Sequence, residues 1–122
     1  MKQARIDIGR AYDSLGPNGH TRFLVDRMWP RGVTKDTLRL DGWLRDVAPS
    51  TELRRWFGHD PERWKEFQQR YRAELDANPE GWQPLIEAAR RGPVILLFGA
   101  RDREHNQAVV LRDYLLRKLS HH

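Results

Sequence analysis

Val94-Ile95-Leu96-Leu97-Phe98 is an unbroken apolar run between Gly92-Pro93 and Gly99. A strand with one face in water alternates apolar and polar residues. This run does not alternate, so it suits a strand covered on both faces, as in a parallel sheet. The rest of the chain must then supply a covering layer for each face. A length of 122 residues fits one domain by the usual size prior, spanning 1–122, and allows a buried core without staples.

The remaining segments match that demand. Ile6 and Ile8 alternate with polar residues, which predicts a first strand over Arg5–Arg10. Ser14-Leu15-Gly16-Pro17-Asn18-Gly19 is a turn cluster, and Arg22–Val25 reads as a second strand. Pro30 and Gly32 break regular structure, so residues 26–37 read as loop. Leu38–Val47 is expected to hold a short helix carrying Trp43 and Leu44.

Ser50 is placed to cap a helix that buries Leu53, Trp56 and Phe57 and stops at Gly58. Asp60-Pro61-Glu62 is a strong helix start, with proline at the first position and an acid near the positive end of the dipole. Trp64, Phe67, Tyr71 and Leu75 then form one apolar stripe, in a helix running to about Ala77. A further helix should end at Gly92, its first turns uncertain because of Gly81 and Pro84. The last helix is expected from about Asn106, and Ser120-His121-His122 reads as a frayed end. The order predicts a small α/β domain, with helices packed on a short, largely parallel or mixed sheet.

Composition narrows the chemistry. The absence of cysteine excludes a disulfide framework, a thiolate nucleophile and Cys-ligated metal sites. No segment approaches the roughly 20 apolar residues of a membrane span, and Met1-Lys2-Gln3-Ala4-Arg5-Ile6 has no apolar signal region. The chain therefore reads as soluble and cytoplasmic, without a membrane partner. The net charge is +5, mostly from an arginine excess. Arginine favours planar, bidentate recognition of carboxylate or phosphate.

Charged and polar residues stand together where two strands end. Phe23-Leu24-Val25 runs into Asp26-Arg27-Met28-Trp29-Pro30-Arg31-Gly32, and the Val94–Phe98 run into Gly99-Ala100-Arg101-Asp102 and then His105-Asn106. In an open α/β sheet, ligands bind at the carboxyl ends of the strands. If these strands are parallel neighbours, both sets converge on one crevice. Arg27 and Arg31 are suited to gripping an anion with paired N–H donors, and Arg101 adds charge. Gly99 would let a ligand approach the backbone, and the last helix would offer free N–H groups beside Asn106. His105 is suited to proton transfer near neutral pH, with Asp26 or Asp102 orienting it. Trp29 and His59 complete the ligand-binding candidates.

Each of these residues also has a structural reading. Asp26 and Arg27 could pair with each other or with loop carbonyls, Trp29-Pro30 could be a packed corner, and Asn106 a helix cap. His59 and His105 could simply cover helix junctions. Strong motifs are missing: the chain has no G-x-x-x-x-G-K-[ST] loop, no G-x-G-x-x-G after the first strand, no H-E-x-x-H and no G-x-S-x-G. A metal site of His59, His105, Asp26 and Asp102 is conceivable, but the spacing is not diagnostic. No metal ligands are assigned, and the sequence leaves any metal requirement and any cofactor unknown.

Leu24-Val25-Asp26-Arg27-Met28-Trp29-Pro30-Arg31-Gly32, the segment from Ala48 to Pro61 and the segment from Val94 to Ala108 together resemble the YeaO-like group of the bacterial domain of unknown function 488. Met28 stands where that group commonly has leucine. Gly99-Ala100-Arg101-Asp102 replaces a run that is usually alanine-rich with lysine. The resemblance implies a compact bacterial α/β domain and no established reaction. Some members are labelled MarR-type regulators, a fold that needs a winged helix-turn-helix this strand order does not provide.

The leading expectation is a site for an anionic or phosphorylated small molecule at the strand ends, with proton transfer or hydrolysis by a His/Asp pair as the chemistry open to it if the protein is an enzyme. The alternatives are a nucleic-acid-binding or processing module, and a non-catalytic structural or interaction protein whose arginines only brace loops.

Overall fold

The computed structural model describes residues 4–13 and 19–120. Residues 14–18 of the turn expected over 14–19, and the ends at 1–3 and 121–122, lie outside the described residues. Four strands, β1 (Ile6–Arg10), β2 (Thr21–Leu24), β3 (Gly42–Trp43) and β4 (Val94–Phe98), form one sheet in the order β1-β4-β2-β3. All pairings are parallel. The helices are α1 (Lys35–Leu38), α2 (Thr51–Phe57), α3 (Trp64–Asp76), α4 (Pro79–Arg91) and α5 (Gln107–Ser120).

The apolar run becomes β4, flanked on both sides by strands and buried along its whole length. Its side chains divide between two cores. Val94, Leu96 and Phe98 enter the larger one, with Leu85 and Ile86 of α4 and Val110, Leu111 and Leu115 of α5. Ile95 and Leu97 enter the smaller one, with Ala11, Leu24 and Leu38 under Trp29 and Trp43. Both faces of β4 are dry, and this is why the sequence shows no polar alternation there.

Most expected helix signals operate. Ser50 Oγ accepts from Leu53 N at 3.1 Å, and Gly58 closes α2 in the left-handed region at φ 53°. Phe67, Tyr71 and Leu75 are the buried stripe of α3. Asp60 accepts from Glu62 N, but the turn it starts, Pro61–Arg63, is a 3-10 turn and α3 begins at Trp64. Gly81 and Pro84 are both accommodated inside α4.

The segment Leu38–Val47 is not the expected helix. α1 ends at Leu38, the chain turns through Arg39 at φ 49°, and β3 follows before a 3-10 turn at Arg45–Val47. The cause lies at the edge of β2. Its Arg22 and Leu24 carbonyls need donors, and Asp41 N and Leu44 N supply them at 2.8 and 2.9 Å. A helix would have left that edge unpaired. α1 also shortens the loop expected over 26–37.

Leu96→Ala should empty a fully buried position between β4 and the helices, at a cost of about 2–5 kcal/mol. Urea denaturation would read this as a lower midpoint with an unchanged slope.

Candidate functional site

β2 and β4 are parallel neighbours, with Leu24 paired to Leu97, so their carboxyl ends open side by side. The segments leaving them face a cleft of about 540 Å³. From the β2 exit come Asp26, Arg27, Trp29 and Arg31, and from the β4 exit come Gly99, His105 and Asn106. His59, beyond the end of α2, also lines it. Arg101 and Asp102 do not. The sequence reading missed Arg54 and Arg55 of α2, Gln107 at the start of α5 and Tyr12 at the β1 exit. Arg54 and Arg55 lie between the buried Leu53 and Phe57, and that spacing places them on the open side of a short helix.

Asp26 forms the floor. Its Oδ2 accepts from Gly99 N at 2.7 Å, and its Oδ1 accepts from Gln107 Nε2. Its own carbonyl accepts from Trp43 Nε1 at 2.7 Å. Burial pushes the carboxyl pKa up to about 6, against the opposing pull of these donors and the Arg54 charge. Gly99 therefore serves a purpose other than ligand approach. A Cβ there would stand 3.0 Å from Asp26 Oδ2, so glycine makes room for the carboxylate itself.

The arginines differ in role. Arg27 is half-buried and braces a loop: Nη2 donates to Ala48 O at 3.2 Å, and Nε and Nη2 each reach Pro49 O at 3.4 Å. Arg31, Arg54 and Arg55 are exposed at the cleft. Among the described residues, none of these arginines forms an ion pair with a carboxylate.

Trp29 is a packed corner that also lines the cleft. Its Nε1 donates to Val33 O at 2.6 Å, and its ring meets Trp43 edge-on at 5.3 Å. Asn106 is the cap of α5: Oδ1 accepts from Val109 N at 3.2 Å and Nδ2 donates to Asp102 O at 2.9 Å. The N–H groups expected to be free near this helix start are in fact partly engaged. Asp102 Oδ1 accepts from Glu104 N and His105 N, each at 2.9 Å, and these contacts hold its carboxyl below the ordinary carboxylate range.

Asp102, not Asp26, orients the histidine. Its Oδ2 lies 2.9 Å from His105 Nδ1, and Trp64 meets the imidazole edge-on at 5.2 Å. His59 sits at φ 57°, a left-handed conformation that costs a non-glycine residue roughly 1 kcal/mol. The four residues considered as metal ligands do not gather: no group of three or more His, Cys, Asp or Glu suited to a metal is found among the described residues. Nor is any helix among them long and apolar enough to cross a membrane.

The profile of the inactive DUF488-N3 subclade matches residues 5–122. The chain belongs to this subclade. The uncharacterized protein YeaO of Escherichia coli K12 is 38% identical over 110 residues, covering 90% of this chain and 96% of that protein. The uncharacterized protein Rv3073c of Mycobacterium tuberculosis is 47% identical over 75 residues, covering 62% of this chain and 64% of that protein. The uncharacterized protein Mb3100c of Mycobacterium bovis matches to the same extent, 47% over 75 residues. The chain thus spans less than two thirds of the length of these mycobacterial relatives. No solved structure matches it. The resemblance to the domain of unknown function 488 read from the strand-exit motifs is correct, and the DUF488-N3 cleft just described lies at those motifs.

A raised carboxyl pKa makes the folded state hold its proton more tightly than the unfolded chain. The stability that Asp26 contributes in its protonated form is therefore complete below 3.8 and lost as pH rises through about 6. Asp26→Asn keeps a neutral group there, and Gln107 can turn its amide to pair with it. The variant should match wild type near pH 3.5 and exceed it at pH 7 by up to about 3 kcal/mol. A stability difference that does not change with pH in urea melts would contradict this.

Proposed function

We propose that the protein binds a small anionic molecule bearing a phosphate-like group in this cleft, and holds it without turning it over. One observation carries the reading. Arg31, Arg54 and Arg55 line a single cleft, and among the described residues none of them forms an ion pair with a carboxylate. Guanidinium groups left unpaired beside a concave surface are donors suited to a bound anion. His59 and His105 add ring nitrogens at the same cleft.

The description of the subclade as inactive supports binding over catalysis. So does the use of the carboxylates. Asp26 has both oxygens engaged by Gly99 and Gln107, and Asp102 stands outside the cleft. The Asp102 contact fixes the ring of His105 through Nδ1, and Nε2 donates to an anion when the imidazole carries both protons. Arg27 has a different duty, because its Nε and Nη2 are engaged by the Ala48 and Pro49 carbonyls.

The two arginines of the strand-exit motif should therefore separate. Arg31→Ala should weaken binding of inorganic phosphate, followed by calorimetry, by about tenfold or more. Its melting temperature without ligand should stay near that of wild type, since Arg31 is exposed. Arg27→Ala should lower the melting temperature by several degrees, since two loop carbonyls lose their donor. Phosphate affinity unchanged in Arg31→Ala would overturn the proposal.

A further inference from the structure

We infer that the anion taken by this cleft carries a planar heterocycle, so that the ligand class is a nucleotide unit: a base and a phosphate on one sugar. The inference rests on the anion-binding reading above and adds a second half to it. Among the described residues, the large hydrophobic side chains left exposed are Tyr12 and Met28, at 46% and 67%. Both line this same cleft. Exposed apolar groups scattered over a surface need no explanation, but two that share a cationic cleft form a binding wall.

Tyr12 is held in place there. It follows Ala11, whose N–H donates to Phe98 O at 2.7 Å, so the β1 exit lies against the end of β4. The Arg10 guanidinium lies 5.0 Å from the centre of the Tyr12 ring, and Arg10 Nε donates to Ala100 O at 2.9 Å. The ring edge comes within 3.8 Å of where a Cβ on Gly99 would stand. Tyr12 is thus a positioned aromatic ring beside the Asp26 floor, with one face backed by a cation. Met28 and the exposed Arg31 line the same cleft.

The two halves match the two parts of a nucleotide. A base stacks on an aromatic ring whatever its sequence identity, because every base has a flat π-face. A thioether adapts to such a ring by its polarisability. The phosphate meets Arg31, Arg54 and Arg55. A volume of about 540 Å³ lies within the usual range for small-ligand sites, roughly 300–1,000 Å³. The same chemistry is offered by a free mononucleotide and by the 5′-phosphorylated end of a strand.

The test compares AMP with ribose 5-phosphate by calorimetry on the whole chain, since the two share the sugar phosphate and adenine in AMP replaces only the anomeric hydroxyl. AMP should bind at least about tenfold more tightly. Tyr12→Ala should close that gap while leaving ribose 5-phosphate affinity unchanged, and Tyr12→Phe should restore it. Equal affinity for the two ligands would overturn this inference and leave the anion reading standing. No binding of either, or of inorganic phosphate, would remove both. A 5′-phosphorylated dinucleotide in parallel assigns the source: tighter binding than AMP points to a strand end, weaker binding to the free nucleotide, and the nucleotide class holds in both cases.

Discussion

The Asp26 carboxylate ties together the segments on which the cleft depends. It leaves the end of β2, crosses to the backbone of Gly99 just beyond β4, and accepts from Gln107 at the first turn of α5. The backbone ladder between these strands ends at Val25 N and Leu97 O, 3.0 Å apart, and the Asp26 side chain carries the link beyond it. The tie requires glycine at position 99, because a Cβ would press on the carboxylate oxygen. It also requires a buried acid, and burial raises its proton affinity. The other features of the cleft are arranged around this floor: Trp43 anchors the Asp26 carbonyl, and Arg27 draws in the Ala48-Pro49 loop that leads to Arg54 and Arg55.

The central architecture was legible because one signal was strong. An apolar run as unbroken as Val94–Phe98 is compatible with few environments, and a doubly covered parallel strand is the one found. Helix ends were legible for the same kind of reason: Ser50 and Gly58 act through local geometry that does not depend on the rest of the fold. What escaped was non-local. Gly42 and Trp43 carry no strand signal of their own; they are a strand only because β2 presents an unsatisfied edge. A short segment with weak propensity takes the structure its neighbours require.

The site shows the same division. The convergence of the β2 and β4 exits followed from parallel pairing. The roles of individual residues did not. Arg27 and Arg31 are equivalent in sequence, yet one is directed inward to carbonyls and the other outward. Gly99 suggested an approaching ligand, while the approaching group is Asp26. Asp26 and Asp102 were alike as partners for His105, and only the three-residue spacing within one turn decides for Asp102. Tyr12 was missed because it reaches the cleft from an element with no motif of its own, and Arg54 and Arg55 because their motif, Ala48–Pro61, does not by itself show that α2 borders the strand ends. Their signal was an arginine pair on the open side of a short helix, and an aromatic just past a strand end.

The function of the cleft turns on whether its guanidiniums meet an anion. The most direct measurement is a two-dimensional ¹H–¹⁵N NMR titration of the arginine Nε–Hε signals with inorganic phosphate. Shifts that saturate for Arg31, Arg54 and Arg55, while Arg27 moves little because its donors are already engaged, are the expected result. Shifts spread evenly over surface arginines such as Arg90, Arg91 and Arg117, with no saturation at the cleft, would contradict the account.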